Sequence, residues 1–136
     1  MSIRVLLVDD EIEFLETLSK RLARREIEAF QASSGEQALE FLAANDVDVV
    51  VLDVKMRGMD GIETLKRIKA AKPEQEVIML TGHASMEAAI QGMQLGAFDY
   101  IMKPADINQL LYKIEDARKK QGLSAGRTRP NGEGGR

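Results

Sequence analysis

Three acids stand side by side at Asp9, Asp10 and Glu11, directly after the apolar run "VLLV". Two carboxylates about 4 Å apart repel by roughly 4 kcal/mol at an effective dielectric of about 20, so such a placement needs a positive partner. Other apolar runs end in polar groups as well: "VVVL" in Asp53, "VIML" in Thr81, and "DYIM" in Lys103 followed by Pro104. If these run ends share one edge of a sheet, three carboxylates, a hydroxyl and an ammonium converge. One lysine cannot neutralise three acids. A hard divalent cation can, and oxygen-only donors with positions left for water suit Mg²⁺. A metal seat beside a lysine and a hydroxyl is also suited to phosphoryl transfer, where catalysis consists mainly of positioning and neutralising oxygens. No serine, cysteine or histidine sits at the centre, so the acceptor nucleophile should be a carboxylate. Asp53, on the central strand, is the candidate.

The elements that must position these residues are legible in the hydrophobic pattern. Five β-rich runs cover Ile3–Val8, Glu26–Ala32, Asp48–Val54, Val77–Thr81 and Phe98–Met102. Three of them are apolar on consecutive positions rather than alternating, as strands read when both faces of a parallel sheet are covered. Helical spacing lies between them, in Phe14, Leu15, Leu18 and Leu22, for example. Ser34 with Gln37 forms a capping box, and Asp60, Ser85 and Asp106 are placed to open three further helices. Five strand-then-helix units predict an α/β fold, a parallel sheet with helices on both faces. In such sheets ligands bind at the carboxyl ends of the strands, where strand order reverses. The second strand ends in "QASSG", with nothing notable. After Lys120 the stretch "QGLSAGRTRPNGEGGR" turns Gly-rich and basic, which predicts one domain over 1–120 and a flexible tail over 121–136.

The totals agree with a single soluble domain of ordinary composition. The chain has 136 residues, 44% hydrophobic and 30% charged, and a net charge of -3 that offers no general attraction for nucleic acid or anionic membrane. Zero cysteines exclude a disulfide framework and a thiolate zinc site, and one histidine excludes a multi-histidine metal site. No apolar run approaches the roughly 20 residues of a membrane helix, and "IRVLLV" makes a poor signal peptide, so a cytoplasmic protein is expected.

The chain resembles the receiver domain of bacterial two-component response regulators, the CheY-like family, from about Ile3 to Lys120. The resemblance is carried by "LLVDDE", "VVLDVKMRGMDG", "MLTGHA" and "FDYIMKP", in this order at the ends of four strands. It implies a flavodoxin-like (βα)5 sheet with strand order 2-1-3-4-5. It further implies that Asp53 is the phosphoacceptor and that Asp9, Asp10, Asp53 and the backbone carbonyl of Lys55 hold Mg²⁺, with Mn²⁺ as a substitute. Thr81 and Lys103 would bind the phosphoryl oxygens, Tyr100 would be the switch aromatic, and the bond to Pro104 would be cis. The implied partners are a sensor histidine kinase or phosphotransfer protein, and a downstream target or second copy at the face of helix four, strand five and helix five. That face carries Met86, Gln91, Tyr112 and Lys113. Direct nucleic-acid or membrane contact by this chain is not expected, nor is enzymatic activity beyond its own phosphorylation and dephosphorylation.

One departure stands in "DVKMRGMDG": the loop commonly has proline four residues after the phosphoacceptor, where this chain has Arg57, so altered loop rigidity is expected. Lys55 and His83, two residues past Asp53 and Thr81, lie where the family tunes phosphoryl lifetime. Blander readings stand beside these. The acid pair could cap the first helix, Tyr100 could be a packing aromatic, and His83 an exposed loop residue. A phosphatase of the haloacid dehalogenase type needs an acid where Lys55 stands, and a flavin mononucleotide protein would not place "DDE" in its phosphate loop. The remaining alternative is a pseudo-receiver, an interaction module without phosphorylation. That class lacks one or more of the five site residues, all of which are present.

Overall fold

The consecutive apolar runs do become strands buried on both faces. The structure, a computed structural model, describes residues 2–128, with all side chains among them except those of 83 and 122–128. Strands and helices alternate as β1 (Ile3–Val8), α1 (Ile12–Ala23), β2 (Ile27–Ala32), α2 (Gly35–Ala44), β3 (Val49–Asp53), α3 (Gly61–Ala71), β4 (Glu76–Thr81), α4 (Met86–Gln94), β5 (Asp99–Met102) and α5 (Ile107–Thr128). The five strands form one parallel sheet in the order β2-β1-β3-β4-β5. Strand order therefore reverses at β1, whose Val5–Val8 pairs with Val49–Leu52 of β3 on one side and whose whole length pairs with β2 on the other. Every residue of β3 and β4 is buried.

Each face of the sheet has its own core. Leu15, Leu18 and Leu22 of α1 and Leu110, Ile114 and Ala117 of α5 cover Val5, Leu7, Val49, Val51, Ile78 and Leu80. Ala38 and Leu42 of α2 and Leu65 and Ile68 of α3 cover Leu6, Val8, Val50, Leu52, Val77 and Met79. Alternate side chains of one strand thus go to opposite cores, and each fully buried Val or Leu contributes about 1.5–3 kcal/mol.

Helix starts follow the expected caps with one exception. Ser34 Oγ accepts from the Gln37 N–H at 3.1 Å, while Gln37 Oε1 accepts from the Ser33 N–H at 2.9 Å. Asp60 Oδ1 accepts from the Glu63 N–H at 2.9 Å, and Asp106 Oδ1 from those of Asn108 and Gln109 at 2.8 and 3.2 Å. Ser85 makes no side-chain cap; α4 is entered instead through a tight turn, His83–Ser85.

The bounds of β1 are as expected, and those of β2 to β5 differ by one residue, in β2 and β3 for evident local reasons. Glu26 adopts a left-handed φ of 65°, closing the α1–β2 turn rather than beginning β2. At the end of β3 the Val54 carbonyl accepts from the Gly61 N–H at 2.9 Å, so the chain turns there into the loop before α3. The larger difference is α5, which continues to Thr128 rather than giving way to a tail at 121. Once a helix is nucleated each added residue costs little, and no proline interrupts until Pro130. The rest of the expected tail, 129–136, lies outside the described residues.

Candidate functional site

Because all strands run parallel, their carboxyl ends share one edge, and the polar residues that end β1, β3 and β5 meet there. Asp9 and Asp53 are buried, at 1% and 5% exposure. Among the described residues, one oxygen each from Asp9, Asp10 and Asp53 lies within 4.8 Å of the others. Lys103, just past β5, reaches into the group. Its Nζ donates to Asp9 Oδ2 at 2.9 Å and lies 3.3 Å from Asp53 Oδ1 and 3.8 Å from Glu11 Oε1. The peptide bond from Lys103 to Pro104 is cis.

The electrostatics follow from crowding acids in a half-dry pocket. Burial pushes the Asp53 carboxyl up, the Asp9 charge pushes it further, and Lys103 and the Lys55 backbone N–H offset part of this. The result is about 6, against 3.8 for an ordinary aspartate. Burial alone would lower the Lys103 ammonium, but its hydrogen bond to Asp9 and the charges of Asp53 and Asp9 outweigh that and raise it. Arg57 donates its backbone N–H to Asp10 Oδ2 at 3.0 Å, and its Nε lies 3.4 Å from the same oxygen. Three acids therefore face one lysine inside the cluster and one arginine at its rim. The donor set is all oxygen, holds excess negative charge and contains a carboxyl that burial disfavours ionising. Such a set fits a hard divalent cation.

The other expected residues are placed as follows. Thr81, fully buried at the end of β4, donates its hydroxyl to the Gly82 carbonyl at 3.1 Å, and its own carbonyl accepts from the Lys103 N–H at 2.7 Å. It sits one residue past Leu80, the register partner of Asp53. Tyr100 is half-buried and packs on the core beneath α2 and α3. Lys55 is exposed, and the side chain of His83 lies outside the described ones. Asp9 and Asp10 do not cap α1: Asp9 Oδ1 accepts from the Glu11 N–H at 2.9 Å, ahead of the helix.

Three participants were not apparent in the sequence. Phe14, in the first turn of α1, places its ring centroid 4.7 Å from Lys103 Nζ and so supports the ammonium as it crosses to Asp9. Arg57, expected to affect loop stiffness, touches an acid of the cluster. Gly61 brings α3 so close to β3 that a Cβ there would lie 2.3 Å from the Asp53 carbonyl oxygen. The dipeptide "DG" before a helix is a signal for that close approach; no local signal marks the other two. Among the described residues, a concavity lies elsewhere, among Arg4, Asp46, Asp48, Lys72 and Gln75. These residues flank the opposite ends of the strands, away from the acid cluster.

The family model for the response regulator receiver domain matches residues 5–115. Transcriptional regulatory protein ZraR of Escherichia coli (strain K12) is 40% identical over 116 residues, 85% of this chain and 26% of that protein. Regulatory protein AtoC of the same organism is 36% identical over 120 residues, 88% of this chain and 26% of that protein. The chain thus spans about a quarter of the length of these relatives. A crystal structure of a response regulator receiver domain protein from Clostridium thermocellum superposes with a TM-score of 0.85 at 35% identity, covering 89% of this chain and 98% of that one. The receiver match takes in all five parallel strands but for the first two residues of β1, together with every acid of the cluster. This chain belongs to the response regulator receiver domains of two-component signalling systems.

Proposed function

We propose that the chain accepts a phosphoryl group on Asp53 from the phosphohistidine of a sensor kinase or phosphotransfer protein, in a Mg²⁺-dependent reaction. The observation that carries this reading is the buried Asp53 carboxylate held between Asp9, Asp10 and the Lys103 ammonium. In the transfer an Asp53 oxygen attacks phosphorus, the phosphorus–nitrogen bond to the donor imidazole breaks, and the imidazole nitrogen takes the electron pair. Asp9, Asp10, Asp53 and the Lys55 carbonyl would hold Mg²⁺, which when bound supplies charge neutralisation at the phosphoryl oxygens. Lys103 gives up its contact with Asp53 Oδ1 to hold one of those oxygens. The Thr81 hydroxyl turns from the Gly82 carbonyl to hold another.

That turn is the proposed link to output. Drawing Thr81 toward the phosphoryl group opens space into which the half-buried Tyr100 ring moves, and phosphorylation shifts the population toward this arrangement. The surface that changes is the one formed by α4, β5 and α5. It exposes Ile90 and Tyr112, at 50% and 69%, beside Met93 and Gln91. A downstream protein or a second copy of the chain would read it. Lys113 pairs with Asp99 there and ties α5 to β5 beside Tyr100. Among the described residues, no helix is long and apolar enough to cross a membrane.

The test is intact-mass analysis after incubation with phosphoramidate or acetyl phosphate and Mg²⁺. Wild type should gain one phosphoryl group, Asp53→Ala should gain none, and EDTA should abolish the gain. Wild type left unmodified by every donor would favour a pseudo-receiver. A phosphorylated Asp53→Ala would move the acceptor elsewhere.

A further inference from the structure

Two donors from one residue converge on a single oxygen of Asp10. The Arg57 N–H and Nε lie 3.0 and 3.4 Å from Asp10 Oδ2, across 47 residues of chain, and tie the loop after β3 to the loop after β1. The backbone donor exists because residue 57 is not proline, whose ring would remove the N–H. The guanidinium itself stays 89% exposed, so its part of the hold is weak and reversible.

We infer that Arg57 is a positioning residue for the metal seat: it holds Asp10 while the seat is empty and competes with the cation for the same carboxylate. This rests on the proposed Mg²⁺ seat. Two effects act in the same direction. The guanidinium charge at the rim repels an incoming cation, and two N–H donors draw on lone pairs that a ligating carboxylate would direct to the metal. Arg57 thereby lowers the affinity for the divalent cation and couples the loop after β3 to its arrival, since release of Asp10 frees that loop.

Titration calorimetry with MgCl₂ at constant ionic strength tests this on the full chain, with melting curves in EDTA to show that each variant folds. Arg57→Ala should bind Mg²⁺ about threefold more tightly than wild type, the scale of an exposed ion pair. Arg57→Pro, which also removes the N–H, should bind about tenfold more tightly. Charge repulsion alone would make the two variants equal, and equality would overturn the two-donor hold. Wild-type affinity in Arg57→Ala would overturn the proposal outright. Absence of Mg²⁺ binding in wild type and both variants would instead remove the metal seat itself, and this inference with it.

Discussion

Replacing Asp53 by asparagine should stabilise the metal-free protein by about 2 kcal/mol at neutral pH, although it deletes the residue on which the site is built. Asp53 is 5% exposed, beside Asp9, and titrates at about 6 instead of 3.8. Between those two values the native state keeps a proton that the unfolded chain has released, so wild-type stability falls as pH rises through the window. A shift of about two units at 1.36 kcal/mol each sets a limit of about 3 kcal/mol. That limit is already net of the charged contact with Lys103, which pulls the carboxyl down. The neutral asparagine has no such titration. The gap between the two proteins should be near zero below about pH 4, open between about pH 4 and pH 6, and stay open above. Urea denaturation in EDTA across this range measures it. A gap independent of pH, or a less stable Asp53→Asn at neutral pH, would show that the carboxylate is not under strain. Added Mg²⁺ should narrow the gap at neutral pH, because a cation relieves the repulsion that the substitution removes.

A single methyl group at position 61 should cost about 3 kcal/mol and displace Asp53 at the same time. A Cβ on Gly61 would lie 2.3 Å from the Asp53 carbonyl oxygen, 2.7 Å from Val54 Cα and 2.9 Å from the Val54 carbonyl oxygen. All three neighbours are backbone, so no side chain can rotate away. The start of α3 would have to move off β3, stretching the 2.9 Å hydrogen bond from the Gly61 N–H to the Val54 carbonyl. Asp53 ends β3 at this contact, so the shift would displace the carboxylate from Asp9 and Lys103. Gly61→Ala should therefore both unfold at lower urea and accept phosphate more slowly from a small donor. Gly82→Ala is the control: a Cβ there meets nothing within 4 Å, and its cost should stay within about 0.5 kcal/mol. Equal stabilities for the two variants would sink the close-approach account.

The grouping of the acids and Lys103 was largely legible in one dimension because each follows an apolar or β-rich run. "VLLV", "VVVL" and "VIML" are strands by their consecutive apolar residues and "DYIM" by its β-rich composition, and a parallel sheet brings the residues after them to one edge whatever the details of packing. Asp9, Asp10, Asp53, Thr81 and Lys103 could thus be grouped from pattern alone, as could the caps at Ser34, Asp60 and Asp106, which act within three residues. α5 runs on to Thr128, past the change of composition at Gln121, because helix propagation depends on the turn before it.

Tertiary structure decided the partnerships. Lys103 had three acids in prospect, and the register of β5 on β4 with the course of α1 places it nearest Asp9, 2.9 Å away across 94 residues, with the Phe14 ring beneath it. Arg57 looked like a loop residue and proved to be a donor to Asp10. Gly61, next to the cap of α3, is the clearance that lets α3 touch the end of β3. The first two depend on where segments 94 and 47 residues apart cross, which is set by strand order, register and side-chain rotamers, and the third on how closely the start of α3 returns to the end of β3. Residue type and spacing determine which groups come to the edge of the sheet; through-space geometry determines which of them touch.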